Sequence, residues 1–162
     1  SVTDMYPDKV QDGDEEFVLN NLCNEAKKEL TILFGNNFKF EVLSRLKDVV
    51  HKFSIKLKKN DELVAIFGIF EVEKDIGGIY FLSTDNLKEG NIITLLRGSR
   101  KQVQSWMRDF SLILDTCFVE NSSVRKWLIL LGFIKVASGG DGVFEIFGKG
   151  DLLLIDRIFK ND

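Results

Sequence analysis

The stretch NSSVRKWLILLGFIKV, Asn121 to Val136, follows a strand-like run SLILDTCFVE, Ser111 to Glu120. Val124, Trp127, Leu128 and Leu131 fall at i, i+3, i+4 and i+7, which puts one apolar stripe on a helix and turns it toward a sheet. Asn121, Ser122 and Ser123 offer side-chain oxygens to the N–H groups that a helix start leaves unpaired. Gly132 supplies the left-handed residue that ends the helix and lets Phe133 to Val136 leave as a strand. The resulting unit is strand, capped helix, glycine, strand.

Working outward, the chain reads as a series of short elements. Residues 1–14 carry several acids and no periodic apolar pattern, and are expected to be a tail or a first strand around Lys9 to Gln11. From Glu15 a helical pattern runs through Phe17, Leu22, Ala26, Leu30 and Leu33 to a stop at Gly35-Asn36-Asn37. A second helix is predicted over Phe38 to Val50, with Phe40, Leu43, Leu46, Lys47 and Val50 on its apolar face. Phe53 to Lys58 alternates, Lys59 to Glu62 is a polar turn, and Leu63 to Val72 is nearly continuous in apolar residues. Together they predict a hairpin of a half-exposed strand on a buried one. Lys74 to Gly78 reads as the next turn and Ile79 to Ser83 as a short strand.

A long amphipathic helix within Glu89 to Phe110, interrupted at Gly98-Ser99, links that strand to a strand over 112–118. Such a strand–helix–strand unit makes the two strands parallel with a right-handed crossover. Phe133 to Ala137 and Val143 to Phe147 close the sheet as an antiparallel pair, and Leu152 to Phe159 fits either a helix or a strand. Residues 15–162 are expected to form a single domain.

Composition narrows the function. The chain has 162 residues, 44% hydrophobic and 29% charged, with a formal net charge of −3. That balance suits a globular protein and not one that neutralises phosphates, so no nucleic-acid partner is expected. No apolar run approaches the roughly 18 residues that span a bilayer, and the acidic start does not look like a secretory leader, so no membrane association is expected. Cys23 and Cys117 lie far apart without a CxxC motif, which favours reduced thiols and no metal. His51, the one histidine, stands between a helical and a strand pattern and reads as a polar residue at a helix end.

An Asn at the end of a strand, an apolar helix, and Gly-Phe opening the next strand resemble the C-terminal signature of the GNAT acyltransferase fold. NEAKKEL (Asn24 to Leu30), DELVAIFGIF (Asp61 to Phe70), YFLSTDNL (Tyr80 to Leu87) and NSSVRKWLILLGF (Asn121 to Phe133) extend the likeness. From roughly residue 22 to residue 147 the chain is similar to the GNAT-like internal virion protein family of short-tailed phages. The resemblance implies an α/β (α+β) fold: a mixed, mainly antiparallel sheet with one parallel βαβ crossover and helices on both faces.

It also implies a cofactor, acetyl-CoA or another acyl-CoA, held between strands 79–83 and 112–118 with its pyrophosphate on the N-terminus of the crossover helix. Leu82, Ser83, Gly90, Asn91, Asn121 and Ser123 are the cofactor-binding positions that this implies. Tyr80 and Asp115 are candidates for catalytic acid or base, with Cys117 and Glu71 nearby in the pattern. Two departures stand out. The family loop Arg/Gln-x-x-Gly-x-Gly/Ala is here Asp85-Asn86-Leu87-Lys88-Glu89-Gly90-Asn91, whose Asp85 and Glu89 would repel a diphosphate unless paired. The tyrosine that many active relatives place four residues before Gly-Phe is Leu128, which cannot donate a proton. Two readings follow: an acyl-CoA N-acyltransferase or a diverged relative, or a catalytically silent phage accessory or virion protein that binds a phage or host protein. Either would act in the host cytoplasm or the virion.

Overall fold

A computed structural model describes residues 2–160. Its strands are β1 (Met5–Asp8), β2 (His51–Leu57), β3 (Leu63–Glu73), β4 (Ile76–Ser83), β5 (Leu112–Phe118), β6 (Ile134–Gly139) and β7 (Phe144–Gly150). They form a 7-stranded sheet in the order β1-β2-β3-β4-β5-β7-β6. The pairs β1/β2, β2/β3, β5/β7 and β6/β7 are antiparallel. β4 and β5 are parallel, with Ile76, Gly77 and Gly78 opposite Leu112, Ile113 and Leu114. The helices are α1 (Asp14–Asn20), α2 (Asn24–Phe34), α3 (Phe38–Leu46), α4 (Ile92–Trp106), α5 (Ser122–Leu130) and α6 (Leu152–Phe159). The mixed, mainly antiparallel sheet with one parallel crossover is the expected architecture. Its middle strands are the least alternating apolar runs, as strands covered on both faces must be.

The chain divides into two compact units. The first comprises the chain up to Phe70 and Tyr80 to Leu95. In it, Val18, Leu30, Val42 and Leu46 from α1 to α3 pack with Ile66 and Leu82. Each such side chain contributes roughly 1.5–3 kcal/mol by leaving water. The second comprises Glu71 to Ile79 and Leu96 onward. There β5 pairs with β7 from Leu112↔Gly150 to Phe118↔Phe144. Ile155 of α6 packs on Ile76 and Leu112.

Several boundaries differ from expectation, each for a tertiary reason. The first strand is Met5–Asp8 and not Lys9 to Gln11, because its register on β2 sets Met5 against Leu57 and Asp8 against Ser54. The single helix from Glu15 is two helices, since Leu22 bridges to Thr84 and Cys23 N–H donates to Ser83 O (3.0 Å), which pulls residues 21–23 out of helical conformation. α3 ends at Leu46 and buries Phe38, Val42 and Leu46, while Phe40 is 83% exposed. Ile76 to Gly78 are strand and not turn, because they supply the parallel pairing; the turn falls at Asp75, with φ 67°. α4 runs unbroken through Gly98-Ser99, where Ser99 is buried and accepts a hydrogen bond from Trp127 Nε1 (3.2 Å). The ambiguous stretch 152–159 is a helix, started by Asp151, whose carboxylate accepts from Leu153 and Leu154 N–H.

Candidate functional site

In the first unit, β4 ends at Ser83 and a 3-10 turn over Asp85–Glu89 leads to α4. Thr84 fixes the turn: its hydroxyl donates to Leu63 O (2.9 Å) and accepts from Asn86 N–H (3.2 Å). Asn86 Nδ2 also donates to Leu63 O (3.0 Å). Asn91 caps α4 by accepting the N–H groups of Ile93 (3.1 Å) and Thr94 (3.3 Å) on Oδ1. Asn91 N–H donates to Thr3 O (2.8 Å), Thr3 N–H donates to Glu89 O (2.8 Å), and Gly90 N–H donates to Leu87 O (3.2 Å). Asn91 Nδ2 donates to Asp4 Oδ1 (3.3 Å).

Gly90 is buried, and a Cβ there would run into the side chain of Met5. This glycine therefore admits the chain's own N-terminal segment. The two acids that the loop carries are paired, Glu89 with Lys59 (2.7 Å) and Asp85 with Lys88 (3.8 Å). The second pair is largely solvated and holds little energy. As a cradle for a diphosphate the loop does not fit. An anion needs N–H groups aimed outward and a glycine that opens space, whereas those of Gly90, Asn91, Ile93 and Thr94 already have protein acceptors and the glycine's space holds Met5.

The other expected residues of this unit are mostly core. Leu82 is buried with the α1 to α3 helices, and Ser83 is buried with its Oγ 3.4 Å from Cys23 Sγ. Tyr80 stacks on Phe70 and lays its hydroxyl over Gly68, where a Cβ would collide with it. That hydroxyl is buried with no hydrogen-bond partner among the described residues. Burial, reinforced by Glu15, pushes its pKa well above the ordinary tyrosine range, so it stays protonated and is not a base at neutral pH.

In the second unit, Asn121 is buried and its side chain accepts from Val124 N–H (3.4 Å), so it caps α5 as its spacing predicts. Ser123 is exposed in the first turn, and Gly132 has φ 91°. Leu128 is fully buried and serves packing. Asp115 is half-buried on β5 opposite Phe147, and Cys117, opposite Glu145, is buried. Glu145, at 7% exposure, pairs with Arg125 (2.9 Å) and Lys135 (3.2 Å). The Arg125 hydrogen bond holds its carboxyl below the usual carboxylate range. Among the described residues no cluster of His, Cys, Asp and Glu could hold a metal, and no helix is long and apolar enough to cross a membrane.

The sequence reading missed Thr3, Asp4 and Met5. Nothing local marks them, since Asp4 meets Asn91 from 87 residues away.

No protein-family model and no curated protein matches the chain. Solved structures do. A GNAT-family acetyltransferase from Bacillus anthracis superposes with a TM-score of 0.62 at 12% identity, covering 91% of this chain and 94% of that one. Spermidine N-acetyltransferase from Vibrio cholerae, solved with CoA and spermine, gives 0.62 at 11% identity over 89% and 92%. The microcin C7 self-immunity acetyltransferase MccE, solved with acetyl-CoA and AMP, gives 0.56 at 14% identity over 91% and 93%. The chain has the GNAT fold.

Proposed function

We propose that this protein is a diverged relative of the acyl-CoA N-acyltransferases that keeps their fold and works by binding another protein, of phage or host origin, in the host cytoplasm or the virion. The observation that carries this reading is the loop before α4, whose N–H groups are engaged by Thr3, Leu87 and Asn91. A diphosphate would have to replace those acceptors and lie beside the Asp4 carboxylate. Leu128, standing where many active relatives have the proton-donating tyrosine, supports the same reading. The likeness of Tyr80 to Leu87 and Asn121 to Phe133 to internal virion proteins supports a partner from the phage or its host.

A second reading, an acyl-CoA-dependent N-acyltransferase, is favoured by the fold likeness to acetyltransferases solved with CoA or acetyl-CoA. Thermal unfolding with acetyl-CoA separates the two. At about 100 times its dissociation constant a ligand adds about 2.7 kcal/mol, which for 162 residues is a rise of about 8 °C. No rise is expected with acetyl-CoA near 1 mM, a level about 100-fold above a micromolar-range constant of roughly 10 μM. A rise of several degrees would overturn the protein-binding reading in favour of the enzyme.

A further inference from the structure

Within the second unit, a cleft of about 270 Å³ is walled by Arg100, Val103 and Gln104 of α4, Leu130 and Leu131 at the end of α5, and Lys149 of β7. Arg100 Nη2 donates to Leu130 O (3.1 Å) and Lys149 Nζ donates to Leu131 O (2.8 Å). Cations are favoured at a helix C-terminus, so the end of α5 holds both in place. Gly132 makes room for one of them, since a Cβ there would lie 2.6 Å from Lys149 Nζ.

These contacts engage one donor each, whereas a guanidinium carries five N–H groups and an ammonium three. No carboxylate lines the cleft, and no ion pair of Arg100 or Lys149 occurs among the described residues. The helices that frame it carry Arg97, Arg100, Lys101, Arg125 and Lys126 and no acid, on a chain whose formal net charge is −3. Leu130, 53% exposed, adds an apolar shoulder.

We propose that this cleft docks an acidic segment of a partner protein, one Asp or Glu carboxylate seating between Arg100 and Lys149 while a neighbouring apolar side chain lies on Leu130. Two fixed cations with donors to spare suit a carboxylate, which takes charge-assisted hydrogen bonds from both. A nucleic-acid face needs a longer run of cations tracking a backbone, and a small cleft with apolar walls is not one. This inference rests on the reading of the chain as a protein-binding module.

The test is backbone-amide NMR on the whole chain, titrated with a capped peptide alternating glutamate and leucine and, separately, with its glutamine counterpart. The glutamate peptide should shift amides at Arg100, Gln104, Leu131, Gly132 and Lys149, and the glutamine peptide should not. Gln104→Glu, on an exposed position of α4, should weaken binding by about tenfold or more by setting a like charge in the cleft. Arg100→Gln should act in the same direction. Shifts elsewhere, equal response to the two peptides, or unchanged binding by Gln104→Glu would overturn the proposal. So would a single-stranded oligonucleotide that shifts the same amides at lower concentration than the peptide. Acetyl-CoA is titrated in parallel: shifts confined to 82–95 would overturn the protein-binding function and leave the cleft to be judged on the peptide data.

Discussion

Replacing Asn91 by Ala tests the engagement of the α4 start directly. The change deletes the acceptor for Ile93 and Thr94 N–H and the donor to Asp4, and leaves the backbone bonds between Thr3 and residues 89 and 91 in place. Loss of an N-cap of this kind costs about 1 kcal/mol, and an exposed contact to a carboxylate adds a few tenths, roughly 0.2–0.5 kcal/mol. The unfolding entropy of 162 residues is about 340 cal/mol/K, so the melting temperature should fall by about 3.5–4.5 °C. Asn91→Ser should recover most of the loss, because serine still accepts the helix N–H groups but is too short to reach Asp4. Denaturant unfolding gives the energies, and amide hydrogen exchange at Ile93 and Thr94 reports the cap itself. An Ala variant within about 0.3 kcal/mol of the parent, with unchanged protection at both amides, would show that these groups are not held by Asn91. It would also remove the ground for excluding an anion from the loop.

Two further outcomes are expected. Phe67, 1% exposed and edge-on to Phe53 (5.5 Å) and Phe81 (5.7 Å), should cost about 3–5 kcal/mol when cut to Ala; a loss below about 1 kcal/mol in chemical denaturation would contradict its place at the sheet centre. Glu145→Gln should cost about 1–2 kcal/mol near pH 7, from weakened charge-assisted bonds to Arg125 and Lys135. Because the folded-state pKa of Glu145 is lowered, its stabilisation is present above the ordinary carboxylate pKa and is lost as pH falls through the folded value. The gap between parent and variant in urea unfolding should therefore hold from neutral pH down to the ordinary carboxylate pKa and close between there and the lower folded value, and a gap independent of pH would refute the pairing.

The parts of the fold that were legible are those whose cause lies within a few residues. Asn121 and Gly132 bracket α5 because an N-cap and a left-handed C-terminal residue act on backbone groups within one turn. The unalternating runs of β3 and β5 announce burial on both faces, which holds from Leu63 to Ile69 and at the two ends of β5, and the link through α4 makes β4 and β5 parallel. The buried face of α3 was not legible, since Phe40 and Val42 fit helical spacing equally well and only packing against Ile66 and Leu82 selects Val42.

The candidate site divides along the same line. Sequence alone determined that the loop before α4 has one glycine and two acids, and that position 128 holds no proton donor. Tertiary structure decided what that glycine is for and where the loop's N–H groups go, because their acceptors and neighbours include Thr3, Asp4 and Met5, brought in by the pairing of β1 with β2. It also decided that Arg100 and Lys149, 49 positions apart in the chain, meet at the end of α5. A hydrogen bond between distant segments leaves no periodicity in the sequence, since its geometry exists only after the sheet has set the register of both.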